Sequence, residues 1–166
     1  MAQKKKKTAE APVPDLFLTP LHEQKVAVEE PEPPALGYLQ LCIERRFHRL
    51  VQTKFEELTG LGPHDYWMHS DAGGAPKMEN EENRAQYAYS HGVRYMGWSA
   101  HGAGCGGFKN PFHPHTAGDR EIETALRATV MKKVFLYPDA QHYEIFATED
   151  ENGKAVLQWR GPIRLI

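Results

Sequence analysis

The chain has 166 residues, a formal net charge of −2 and charged residues at 25%: enough for one globular domain with its own core, too short for two ordinary ones. That balance supplies no overall field for nucleic acid or an anionic membrane surface, and no apolar run approaches the ~18 residues that a membrane-spanning helix needs. Two cysteines, Cys42 and Cys105, are too few for a disulfide framework and fit a reducing, cytoplasmic setting in which thiols are buried, catalytic or metal-bound.

Residues 1–34 form an arm of different composition. A lysine run, "KKKK", leads into Ala/Pro-rich sequence, and "VEEPEPP" closes the segment. Such composition buries too little apolar surface to offset the entropy of ordering. The basic start lacks the apolar run of a secretory signal, and the lysines read as a solvated tail before they read as a nucleic-acid contact. The short apolar patch "LFLTPL" (16–21) is the one part of the arm suited to docking on the domain or a partner subunit.

The folded domain is expected over 35–166. "ALGYLQLCI" (35–43) is a near-continuous apolar run of strand length, the pattern of a strand buried on both faces. A helix follows over 50–60, with Leu50, Phe55 and Leu58 as its apolar positions and Gly60 as its stop. "DYWMHS" (65–70) reads as the second strand, ending in the turn "DAGGAP". The segment 78–92 opens acidic and closes on Gly92, as a helix does. "VRYMGWSA" (93–100) is the third strand, and 119–133 a helix with Ile122, Leu126 and Val130 on one stripe. "VFLYP", "YEIFATED" and "AVLQWR" read as further strands, the last two joined by a turn at "ENGK". The fold class is therefore α/β: a mainly parallel β-sheet flanked by helices, with an antiparallel hairpin at the C-terminus.

In open sheets of this kind ligands bind beyond the carboxyl ends of the strands. Cys42 ends the first strand; His101 and Cys105, in "SAHGAGCGGF", follow the third. Two thiolates and one imidazole leave a tetrahedral zinc ion one open position, the pattern of catalytic sites, where the pKa of bound water falls toward ~7. Glu44 and Arg46 stand two and four places after Cys42. A carboxylate held by a guanidinium stays ionised and oriented, able to accept a hydrogen bond from zinc-bound water or to ligate the metal itself. Arg45 competes with Arg46 for that role. The glycine-rich loop lacks the lysine of a P-loop and the fingerprint of a dinucleotide site.

Cys42-Ile-Glu44-Arg45-Arg46, "SDAGGAP" at 70–76 and His101-Gly-Ala-Gly-Cys105 together resemble the β-class carbonic anhydrase family, whose pattern is Cys-x-Asp-x-Arg, an Ala-Gly turn and His-x-x-Cys after three successive strands. The resemblance covers roughly residues 35–137 and is to the short, divergent members. It implies that Cys42, His101 and Cys105 ligate Zn2+, that Glu44 and Arg46 take the place of the Asp–Arg dyad, and that carbon dioxide and bicarbonate are interconverted by a homodimer or a dimer of dimers. Here the loop has one residue more than the family's, and Glu44 is one methylene longer than aspartate.

Rival readings are a zinc scaffold of the same fold without catalysis, a hydrolase of carbon disulfide or carbonyl sulfide, and, without metal, a redox pair of Cys42 with Cys105. His113 and His115 read as solvent-facing loop residues or proton carriers. His69 and Asp71 end the second strand, with Asp71 read as capping the glycine turn. The aromatics Tyr66, Trp67, Tyr95 and Trp98 read as core or dimer interface.

Overall fold

A computed structural model describes residues 34–77, 82–102, 104–110, 113–116 and 118–165. All but the last residue of the expected arm, and the first four residues of the helix expected over 78–92, lie outside these. The central sheet has five strands in the order β2-β1-β3-β6-β7. Strands β1 (Gly37–Cys42), β2 (Tyr66–Asp71), β3 (Tyr95–His101) and β6 (Gln141–Glu149) run parallel, and β7 (Ala155–Ile163) pairs antiparallel to β6.

Every residue of β1 is buried, and its side chains divide by the two-residue period of a strand. Tyr38 and Cys42 enter a core with Met96, Trp98, Ile122, Leu126 and Val130. Leu39 and Leu41 enter another with Val51, Phe55, Tyr143 and Ile145. Helix α1 (His48–Thr59) therefore covers one face, and α2 (Glu82–Ser90) and α3 (Asp119–Leu136) the other. Close contact under α1 depends on Gly97, where a Cβ would lie 2.6 Å from Leu39 and 2.7 Å from Phe55.

Helix α1 stops where the sequence says it should: Gly60 adopts a left-handed conformation (φ 74°) and its N–H donates to Glu56 O at 2.8 Å. Its inner face differs from expectation. Val51 and Phe55 are buried, Leu58 packs at the margin, and Leu50 is exposed.

"VFLYP" is not a strand. The stripe Ile122, Leu126, Val130 continues through Val134, so α3 runs on to Leu136 and leaves Phe135 and Leu136 exposed. Three consecutive strand-prone residues were outweighed by one helical repeat of buried contact. "FHPH" also differs: the backbone of 113–116 forms a short strand β5 (His113–Thr116), paired antiparallel with β4 (Lys109–Asn110). The C-terminal hairpin forms as expected, with Gly153 at φ 72° and the Asp150 carboxylate accepting from Asn152 N and Lys154 N. No helix among the described residues is long and apolar enough to cross a membrane.

Candidate metal centre

Parallel pairing aligns the carboxyl ends of β1 and β3, and this alone brings Cys42 and His101 to one rim. After His101 the chain turns through Gly104, at φ +79°, and enters a 3-10 turn (Gly106–Phe108) whose Phe108 N–H donates to Cys105 O at 3.2 Å. That turn returns Cys105 beneath Cys42. The ligand atoms of Cys42, His101 and Cys105 all lie within 4.8 Å of one another, and all three residues are buried. Among the described residues, no other three histidine, cysteine or carboxylate side chains converge in this way.

Glycines make the approach feasible. A Cβ on Gly107 would lie 2.1 Å from Gly73 N, and one on Gly74 2.3 Å from Ser99 O. The turn after β2 is thereby packed directly against both ligand loops, and Gly73 N–H points at Cys42 Sγ at 3.4 Å. "SDAGGAP" supplies a backbone donor to a sulfur.

The donor set fits a tetrahedral ion. The two sulfurs are 3.7 Å apart, against about 3.8 Å for two thiolates at ~2.3 Å from one tetrahedral centre. His101 Nδ1–H donates to Gly102 O at 2.8 Å, which leaves the lone pair on Nε2, and that buried nitrogen has no hydrogen-bond partner. A buried polar atom without a partner costs about 1–3 kcal/mol; a metal ion would satisfy it.

The electrostatics agree. The sulfur–sulfur contact with Cys105 lowers the Cys42 pKa against burial, helped by His101 and the backbone N–H groups of Glu44 and Gly73. The same pairing, together with burial, pushes Cys105 up. Burial opposes charge on His101, but the neighbouring Cys42 sulfur, the Gly102 carbonyl and the charges of Cys42 and Glu44 outweigh it and raise its pKa. Without a metal, the shifts on Cys42 and His101 run together, negative charge on the sulfur and positive charge on the ring favouring each other.

Glu44 stands at the mouth. Its Oε2 is 3.3 Å from His101 Nε2, while Oε1 accepts from Arg46 Nε at 2.7 Å. Of the two competing arginines, Arg46 is the one that holds Glu44, and Glu44 is not part of the converging ligand group. Beside it lies a small cavity of about 10 Å3, lined by Leu41, Phe47, Val51, Ala100, His48 and the site residues; this is room for about one water-sized molecule.

Other expectations resolve differently. The Asp71 carboxylate does not cap the glycine turn: it accepts from Gln40 Nε2 at 3.2 Å and sits 2.9 Å from His69 Nε2, while the Asp71 carbonyl closes the turn. His69 faces a separate cavity of about 280 Å3 with Trp67, Arg84 and Tyr87. Trp98 and Tyr66 are core, and Trp67 is exposed. Sequence reasoning missed His48, which lines the small cavity and hydrogen-bonds the Cys42 carbonyl. It also missed Glu149, whose Oε1 accepts from Arg46 NH1 at 2.9 Å. His48 follows "CIERRF" closely enough to have been considered; Glu149 carries no local signal.

No family model matches the chain, and no curated protein matches it.

Proposed function

We propose that this chain is a zinc-dependent hydratase of carbon dioxide, with Cys42, His101 and Cys105 holding the ion. The observation that carries the reading is a buried Cys-His-Cys group whose sulfurs are spaced as a tetrahedral ion requires, beside a small cavity with room for about one water-sized molecule. Zinc in such a site supplies one thing, acidification of a water so that it attacks an electrophilic carbon near neutral pH.

The chain's own residues do the rest. Leu41, Phe47, Val51 and Ala100 give the cavity an apolar wall suited to a small uncharged triatomic and poor for its charged product. Glu44, fixed through Oε1 by Arg46, presents Oε2 to the space next to His101, where it would accept a hydrogen bond from a water. The Gly73 N–H stabilises the Cys42 thiolate, and the Gly102 carbonyl keeps His101 in the ligating tautomer.

The test is zinc content of the purified chain together with carbon dioxide hydration, with Cys42→Ser as control. About one zinc per chain and hydration well above the buffer rate, both lost in Cys42→Ser, is the expected result. Stoichiometric zinc with no hydration would leave the scaffold reading, and no zinc would overturn both.

A further inference from the structure

Arg46 contacts two carboxylates with two different edges of its guanidinium. Nε meets Glu44 Oε1 at 2.7 Å, and NH1 meets Glu149 Oε1 at 2.9 Å. Glu44 lies just past β1 and Arg46 on the 3-10 turn that follows (Arg45–Phe47), whereas Glu149 is the last residue of β6, 103 positions further along the chain. The guanidinium also lies over the Phe47 ring, 5.1 Å from its centroid. Because the two carboxylates use separate donors, they do not compete for hydrogen bonds. Glu149 instead ties a long, flexible side chain to the sheet.

We propose that Glu149 is a positioning residue: by anchoring Arg46 it holds Glu44 beside the Cys-His-Cys group and keeps that carboxylate from closing the fourth position on a metal. The inference rests on the metal reading above. Glu44 Oε2 is already 3.3 Å from His101 Nε2, about the separation of two ligands ~2 Å from one tetrahedral ion. A small rotation of an unanchored glutamate would make it a ligand. The tie between Arg46 and Glu149 stands against that rotation. With Glu149 removed, the guanidinium loses its contact with the end of β6, and the hold on Glu44 weakens.

The test uses the full chain loaded with cobalt(II), whose visible absorption reports coordination, and azide as the probe for an open position. In wild type, azide changes the spectrum. In Glu149→Ala the half-saturating azide concentration rises about five- to tenfold, a partly exposed charge-assisted contact being worth this much. Glu149→Gln, which keeps an acceptor oxygen for NH1, falls between. In Glu44→Ala/Glu149→Ala, with no carboxylate left to close the position, azide binds as in wild type or better. Unchanged azide binding in Glu149→Ala overturns the proposal, as does a double variant that stays weak. Azide behaviour as expected in a protein that does not hydrate carbon dioxide would leave the positioning role standing and remove the hydratase reading; wild type that takes up no cobalt removes both.

Discussion

Cys42 and Cys105 are 63 positions apart in the chain and 3.7 Å apart at their sulfurs. Neither thiol is held by its own loop alone: Cys42 is fixed by β1 and by the Gly73 N–H, and Cys105 by the turn that follows it, whose Gly107 packs on the Gly73 backbone. Removing either sulfur takes away one of three ligands and leaves a site that a divalent ion cannot hold tightly. Zinc per chain is expected to fall from about one to below about a tenth in Cys42→Ser and in Cys105→Ser, measured by atomic emission on protein purified without added metal.

Chelation tests the same site through stability. An ion that binds the folded chain at a thousandfold excess over its dissociation constant adds about 4 kcal/mol. Stripping it is expected to lower the thermal midpoint by roughly 10 °C, with recovery when zinc is restored. A midpoint indifferent to chelator would remove the metal from the account of this fold.

Glu44 separates binding from chemistry. It lies outside the converging ligand group but within 3.3 Å of His101 Nε2. Glu44→Ala is expected to retain zinc and to lose about 100-fold or more in hydration rate, the usual scale for a misplaced or missing proton-handling group. Parallel measurements of zinc content and stopped-flow hydration decide it; loss of both together would make Glu44 a ligand.

Gly107 has no room for a side chain. A Cβ there would stand 2.1 Å from Gly73 N and 2.4 Å from Ala72 C, and backbone cannot swing aside as a side chain does. Gly107→Ala is expected to cost about 1–3 kcal/mol in urea unfolding. It also forces apart the loop that carries Cys105 and the turn that donates to Cys42, so zinc affinity should fall with stability. A variant of wild-type stability and zinc content would mean that the two turns are not in such contact.

His142 gives a pH dependence away from the site. It is fully buried, accepts from Trp98 Nε1 at 3.0 Å and donates to Tyr137 O at 2.9 Å, so the neutral ring satisfies both neighbours. Burial lowers its pKa below the ordinary 6.5, with the Tyr137 carbonyl opposing in part. The unfolded chain therefore takes up this proton first as pH falls. Its stabilising contribution is complete above about pH 7 and is lost progressively below about 6.5. His142→Gln should cost more stability at pH 7.5 than at pH 5, by urea unfolding at each; an equal cost at both would mean that the ring titrates normally.

Strands β1, β2 and β3 were legible because each is a short apolar run cut off by charge or glycine, and Gly60 marked the end of α1 correctly. The ligand trio was legible for a related reason. Parallel order sends strand ends to one rim, so residues 42 and 101 share it without any knowledge of the loops, and Cys105 follows His101 by only four positions. What failed was local ambiguity. Val134, Phe135 and Leu136 suit a strand in isolation, and only the buried stripe from Ile122 onward makes them helix. Choosing Leu50 over Val51 was an error of one position in helical phase. Glu149 was illegible in principle, since its partner Arg46 is reached only through the pairing of β6 with β3.

Strand β1 lies between β2 and β3, and all three are parallel. Parallel neighbours close long loops before any pairing rewards them, so a sheet of this order assembles slowly compared with a helical bundle. During synthesis Cys42 emerges 63 residues ahead of Cys105, and until β3 has followed it the thiol has neither its histidine nor its second sulfur. For that interval the nascent chain displays an exposed thiol, and the completed sheet is what withdraws it from solvent.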